Sequence, residues 1–124
     1  MNSIASILVV DDSTDALNTF TQLFSALGVK KICQAGSAED ALEILKARKF
    51  AMILCDYRME GMDGVEFLEE LRAQGNQTPV IMVSGAPDKA GVIRATHHQN
   101  VDFFGKPFRV AELVGAMEKL AEAA

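Results

Sequence analysis

Short apolar runs alternate with amphipathic segments along the chain. Continuous apolar runs, which are typical of strands covered on both faces of a sheet, occur at residues 4–10, 52–55 and 80–83. The segments "KKICQA" and "VDFF" predict a second and a fifth strand, although the former is a weaker pattern. We therefore expect five strands separated by helices.

Apolar side chains spaced three and four residues apart predict a helix after each strand. The first helix is expected to end at Gly28, and the second to begin with Ser37 as its N-cap. Pro87 suits the first position of a fourth helix that is expected to run through Asn100. A final helix with its own apolar stripe follows "KPF".

This alternation favours one fold class. Five strands alternating with five helices predict an α/β domain with a parallel sheet, right-handed crossovers and helices on both faces. A chain of 124 residues is long enough for one such domain and too short for two, so we expect one domain over residues 1–124. In this class the active crevice lies at the carboxyl ends of the strands, where strand order reverses.

Composition and charge exclude several partners. A net charge of -5 and a pI near 4.9 argue against direct nucleic-acid binding, which depends on Lys and Arg. No basic residue precedes Lys30, so a secretory signal is not expected, and no apolar run reaches the roughly 20 residues that span a membrane. Cys33 and Cys55 lack metal or redox spacing and are expected to be buried thiols in a cytoplasmic protein.

Polar residues end four of the predicted strands: Asp11 and Asp12, Asp56, Ser84 and Lys106. Because all five side chains would face the same edge of the sheet, three carboxylates would share one crevice. Each pair would repel by roughly 4 kcal/mol at ~4 Å and an effective dielectric of about 20. Mg²⁺ prefers oxygen ligands of this kind and would offset the repulsion, and Lys106 adds a second positive charge.

Phosphoryl transfer is the chemistry that this set of groups suits. Mg²⁺, a lysine and a hydroxyl stabilise the oxygens of a transferring phosphoryl group, and a carboxylate can act as the nucleophile. Asp56 ends the central strand and is the natural acceptor.

The segments "ILVVDDS", "ILCDYRMEGMDG", "VIMVSGA" and "FFGKPF", in this order and spacing, resemble a response-regulator receiver domain of two-component signalling over essentially the whole chain. The resemblance implies a flavodoxin-like receiver fold with strand order 2-1-3-4-5. It implies that Asp11, Asp12, Asp56 and the backbone carbonyl of Arg58 hold Mg²⁺. It also implies that Asp56 takes phosphate from a sensor histidine kinase or a histidine phosphotransfer protein.

The resemblance further implies that Ser84 and Lys106 contact the phosphoryl oxygens and that the bond from Lys106 to Pro107 is cis. Ser84 and Phe103 match the switch positions, at which the ring moves when the hydroxyl is drawn to the phosphate. The signal would leave through helix 4, strand 5 and helix 5 to a downstream protein. The kinase, the target, homodimerisation on phosphorylation, and membership of a longer regulator or hybrid kinase stay open.

Several positions depart from the commonest family residues. Glu60 stands where proline is frequent, which predicts a less rigid and more acidic loop, and Ser84 and Phe103 replace the commoner threonine and tyrosine. Arg58 and Ala86 occupy positions at which receivers tune attack by water, so the lifetime of the phosphoryl group is left open.

Other functions for the same residues are less consistent with the pattern. A Mg²⁺-dependent small-molecule phosphohydrolase would need a second acid–base carboxylate close after Asp56 and a cap, for which this length leaves no room. A phosphorylation-independent interaction module would be marked by loss of Asp12, Asp56 or Lys106, and all three are present.

Some polar residues have structural alternatives. Asp11 and Asp12 would serve equally as caps of the first helix if they stood alone. Asp63 with Glu66 predicts a capping interaction for the third helix. His97 and His98 are adjacent and lack the spacing of a zinc pair, so we expect them at the surface.

Overall fold

The computed structural model of the protein describes residues 4–123. Strands and helices alternate along the chain, as the apolar periodicity predicts. In chain order the elements are β1 (Ser6–Val10), α1 (Thr14–Ala26), β2 (Lys31–Ala35), α2 (Ala38–Ala47), β3 (Met52–Asp56), α3 (Gly64–Ala73), β4 (Val80–Ser84), α4 (Lys89–Thr96), β5 (Val101–Gly105) and α5 (Val110–Ala123).

All neighbouring strands of the sheet are parallel, and their order is β2-β1-β3-β4-β5. The predicted fold class and strand order are therefore confirmed. The chain turns to one side of β1 to form β2 and to the other side to form β3, so strand order reverses between β1 and β3. Every residue of β3 is buried, because this strand lies at the centre of the sheet.

Helices cover both faces of the sheet. On one face, alternate residues of the central strands pack against buried residues of α2, α3 and α4, among them Ala41, Leu68 and Ala95. On the other face, the remaining strand residues pack against Phe24 of α1 and Met117 of α5. The continuous apolar runs of β1, β3 and β4 arise from this burial on both sides.

Three predicted helix ends are confirmed by their cap geometry. The Ser37 hydroxyl accepts from the amide of Asp40 and caps α2. Asp63 and Glu66 form a reciprocal capping box at the start of α3. Gly28 directly follows Leu27, the C-cap residue of α1, and has a φ of 94°, a left-handed conformation that suits glycine.

Helix α4 differs from the prediction at both ends. It begins after Asp88, whose carboxylate accepts a hydrogen bond of 2.6 Å from the amide of Gly91, so Pro87 lies before the cap and outside the helix. It ends at Thr96, and Asn100 has a φ of 61°, which helical backbone excludes. The Arg72 guanidinium, which bonds the carbonyls of residues 99 and 100, holds this turn against α3.

The predictions of surface histidines and of buried free cysteines are each confirmed for one residue and partly for the other. His97 is exposed and His98 is half-buried. Both cysteines are free, with Cys55 buried but Cys33 only half-buried. Among residues 4–123, no helix combines the length and the hydropathy that a membrane crossing requires.

Candidate functional site

Three carboxylates converge at the carboxyl edge of the sheet. Val10 and Cys55 are register partners in β1 and β3, so Asp11 and Asp56, which follow them, leave neighbouring strands side by side. Each of these residues and Asp12 offers one carboxylate oxygen, and the three oxygens lie within 4.8 Å of one another. Asp11 is 3% and Asp56 9% exposed, whereas Asp12 lies at the open rim. We call these three residues the acidic cluster.

The two carboxylates from the end of β1 each accept one backbone hydrogen bond. The amide of Ser13 donates to Oδ1 of Asp11 over 2.9 Å, and the amide of Glu60 donates to Oδ2 of Asp12 over 3.0 Å. A carboxylate offers about four acceptor positions, so each keeps several free for another ligand.

The third carboxylate faces a lysine. Nζ of Lys106 lies 3.6 Å from Oδ1 of Asp56, which makes an ion pair at the inner end of the crevice. The backbone amide of Lys106 donates to the carbonyl of Ser84 over 2.7 Å, and the peptide bond from Lys106 to Pro107 is cis, as the resemblance implies. The tips of β4 and β5 therefore hold the base of the lysine side chain in place.

The electrostatics of the acidic cluster favour an added cation. Burial raises the pKa of Asp56 from an ordinary 3.8 to about 6; the charge of Asp11 adds to the rise, and Lys106 opposes it. Burial also raises the pKa of Asp11, against the lowering effects of the Ser13 amide and Lys106. One ammonium group therefore does not balance the negative charge. Closely spaced carboxylate oxygens are the ligands that a hard divalent cation prefers, so the residues present fit such an ion.

The Ser84 side chain is fully buried at the end of β4. It lies one residue beyond Val83, which is the register partner of Asp56. Its hydroxyl accepts a hydrogen bond of 3.1 Å from the amide of Ala86 in its own loop. The hydroxyl is thus placed next to the end of β3 but bonded to the loop that leads to α4.

The Arg58 side chain turns away from the acidic cluster towards α4. It forms an ion pair with Asp88, and its guanidinium carbon lies 4.3 Å from the ring centroid of Tyr57. The Tyr57 hydroxyl also lies 3.4 Å from a carboxylate oxygen of Asp88. The residues directly after Asp56 therefore contact the cap of α4.

Two parts of this site are absent from the sequence predictions. Asp88 follows a proline at a helix start, which is a recognisable N-cap signal that the placement of Pro87 inside the helix obscured. The bond from the Glu60 amide to Asp12 joins residues 48 positions apart, and no local sequence signal indicates it.

Comparison with known proteins identifies the family of this domain. The profile of the family described as response regulator receiver domain matches residues 7–118. The chain belongs to this receiver family. Ser13, and neither Asp11 nor Asp12, is the N-cap of α1, because its hydroxyl accepts a hydrogen bond from the amide of Ala16.

Similar receivers are known as sequences and as structures. The chain is 32% identical over 118 residues to the response regulator protein TodT of Pseudomonas putida, covering 94% of this chain and 52% of TodT. It thus spans about half the length of the curated relatives it matches. The Francisella response regulator 1452 receiver domain superimposes with a TM-score of 0.85 at 26% identity, covering 96% of this chain and 98% of that one. FixJ-N superimposes with a TM-score of 0.86 at 26% identity, covering 96% and 94%.

Proposed function

We propose that this receiver domain is a phosphorylation-dependent switch whose phosphoryl acceptor is Asp56. The observation that carries the proposal is the position of this carboxylate: it ends the central strand, two acidic neighbours lie on one side, and Lys106 approaches to 3.6 Å on another. The donor is the phosphohistidine of a sensor histidine kinase or of a histidine phosphotransfer protein. The two free thiols suit a reducing compartment, and we place the reaction in the cytoplasm.

Asp56 acts as the nucleophile in this proposal. One carboxylate oxygen attacks the phosphorus atom, the bond from phosphorus to the donor histidine nitrogen breaks, and the nitrogen keeps the electron pair. The ionised form is required, and a pKa of about 6 leaves Asp56 mainly ionised at neutral pH.

We assign the cation site to Asp11, Asp12 and Asp56 with the backbone carbonyl of Arg58, and we take Mg²⁺ as the ion. When bound, such an ion neutralises charge on the phosphoryl oxygens and lowers the repulsion among the carboxylates. The support is the donor set itself, three carboxylate oxygens within 4.8 Å of one another.

Lys106 and Ser84 are assigned to the transferred phosphoryl group. The ammonium group already faces the acceptor and would form a charge-assisted hydrogen bond to a phosphoryl oxygen. The buried hydroxyl of Ser84 would donate to another oxygen by turning away from the amide of Ala86.

Phe103 is assigned as the switch residue that reads the position of Ser84. A movement of this ring would alter the surface formed by α4, β5 and α5, through which we propose that a downstream protein, or a second copy of the domain, senses phosphorylation. Moving a two-state equilibrium from almost fully inactive to almost fully active takes about 5.5 kcal/mol of differential stabilisation. The phosphoryl group carries nearly two negative charges close to Lys106, and about one of them replaces the charge that the Asp56 carboxylate loses, so the net gain of about one charge favours closer contact with the ammonium group.

Intact-protein mass spectrometry tests the proposal. The protein is incubated with acetyl phosphate and Mg²⁺, and separately with a phosphorylated histidine kinase. We expect a mass gain of one phosphoryl group, which EDTA and the substitution Asp56→Asn both prevent. An unchanged mass with every donor would favour an interaction module that works without phosphorylation. Repeated release of phosphate from small phosphate esters would instead indicate a hydrolase.

A further inference from the structure

Asp12 is the exposed member of the acidic cluster, and its carboxylate would be free to rotate unless something held it. The amide of Glu60 donates to its Oδ2 over 3.0 Å. Within residues 4–123 this is the one hydrogen bond recorded for the Asp12 side chain. The other two carboxylates are buried and face the Ser13 amide and the Lys106 ammonium group. Asp12 therefore depends on Glu60 for its orientation.

The same bond also holds the loop of residues 57–63 against the cluster. The loop base is fixed by the amide of Tyr57, which donates to the carbonyl of Val83. Farther along, Arg58 is tied to α4, and the amide of Met62 donates to Glu39 of α2 over 3.3 Å. Of these described attachments, only the bond from Glu60 draws the middle of the loop towards the cluster.

We infer that the backbone amide of Glu60 is a positioning group for divalent cation binding, and this inference rests on the proposed function. It holds Asp12 in one orientation, and it holds the loop that carries the Arg58 carbonyl next to the other ligands. Oδ1 and the unused lone pair of Oδ2 remain available to the ion. Hydrogen-bond partners of metal ligands are typically worth 10–100-fold in metal affinity.

The positioning role belongs to the N–H group and not to the side chain of Glu60. The side chain is exposed, and within residues 4–123 it has no recorded hydrogen bond or ion pair. Any residue except proline supplies the same amide donor. A substitution that removes the donor is therefore separable from one that removes only the carboxylate.

Three variants test the inference by their Mg²⁺ dissociation constants, measured by NMR titration of backbone amides. Glu60→Pro removes the donor, and Glu60→Ala keeps it while removing the charge. A semisynthetic protein with an ester in place of the amide at residue 60 removes the donor without the proline ring. We expect the proline and ester proteins to bind Mg²⁺ about tenfold more weakly, at the lower end of the usual range because Asp12 is exposed. Glu60→Ala should stay close to the unsubstituted protein.

Each other outcome decides against the inference. Unchanged affinity in the ester protein would overturn it, whether or not the proline variant binds weakly, because only the ring would then be responsible. Equal loss in Glu60→Ala would assign the effect to the side-chain charge. These results leave the proposed function standing. If the unsubstituted protein binds no Mg²⁺, the proposed function and this inference fail together.

Discussion

The ring of Tyr57 meets the ring of Phe103 edge-on, with centroids 5.7 Å apart and planes inclined by 80°. Tyr57 follows Asp56 directly, and Phe103 lies three residues before Lys106. The hydroxyl of Tyr57 also reaches the cap of α4 at Asp88. A displacement at the end of β3 would therefore reach β5 through the packed rings and α4 through the Tyr57 hydroxyl.

Replacing Phe103 by leucine should weaken this connection. We expect the free energy of unfolding to fall by about 1 kcal/mol, because an edge-to-face pair is worth roughly 0.5–1.5 kcal/mol beyond its burial. Beryllofluoride mimics the phosphoryl group when Mg²⁺ is present, and the NMR shift changes that it causes in α4 should shrink in the variant. Phe104→Leu is the matched control, because Phe104 packs on the other face against Phe108. Equal shift changes in both variants would contradict a special role for Phe103.

Asp56→Asn should stabilise the protein when Mg²⁺ is absent. The folded pKa of about 6 lies about two units above the ordinary 3.8. At 1.36 kcal/mol per unit, ionised Asp56 destabilises the folded state by up to about 3 kcal/mol near neutral pH. We expect urea unfolding in EDTA at pH 7.5 to show a gain up to this size in the variant.

The sign of that effect sets its pH dependence. Because the folded state holds the proton more tightly, the unsubstituted protein should gain stability from Asp56 as the pH falls from about 6 to about 4. The advantage of the asparagine variant should vanish over the same range. Saturating Mg²⁺ at pH 7.5 should remove the advantage as well. A variant less stable than the unsubstituted protein in EDTA would show that the Lys106 pair outweighs the burial cost.

Mg²⁺ binding should weaken in acid. A metal ligand must be deprotonated, and burial raises the pKa of both Asp56 and Asp11. We expect the Mg²⁺ association constant to fall about tenfold or more per pH unit below about 6, and to level off above it. Calorimetric titrations between pH 5 and 8 at constant ionic strength measure this. Affinity that does not change over that range would show that no cation ligand has a pKa raised to about 6.

Gly91 should be intolerant of a side chain. A Cβ atom there would stand 2.6 Å from Cζ of the buried Tyr57 ring, closer than van der Waals contact allows. Although alanine favours helix by about 1 kcal/mol over glycine, overpacking costs typically 1–3 kcal/mol. We expect Gly91→Ala to lower the unfolding free energy and to displace Tyr57.

Gly115 in α5 provides the matched control for Gly91. Within residues 4–123, no atom beyond its two chain neighbours and its own helix backbone lies within 4 Å of a Cβ at Gly115, so Gly115→Ala should stabilise the protein by about 0.5–1 kcal/mol. Urea unfolding of both variants measures the contrast. A stabilised Gly91→Ala protein would mean that the Tyr57 ring moves aside at little cost.

Much of the fold follows from local patterns in the chain. Apolar patterning predicts most of the ten elements, because a helix buried on one face repeats its apolar residues about every 3.6 positions and a strand buried on both faces is a continuous apolar run. The second strand and the fourth helix have weaker patterns, and the prediction of the fourth helix depends largely on Pro87. The caps at Ser37 and Asp63 were also predicted, since a cap bonds only to the next few residues. The predicted bounds of α4 are wrong at both ends. The turn that follows this helix is stabilised partly by Arg72, which donates to the carbonyl of Gln99, 27 positions later in the chain.

The candidate site also has a part that the sequence predicts and a part that depends on contacts between distant residues. The meeting of the acidic tips of β1 and β3 could be predicted, because parallel strands end at one edge and strand order reverses there. Tertiary structure alone decided that the Glu60 amide holds Asp12, that Arg58 turns to Asp88, and that the two rings meet edge-on. Apolar periodicity and helix capping depend on residues a few positions apart, so they can be recognised in the sequence. Contacts between loops depend on how distant segments pack, and that is settled only when the whole core forms.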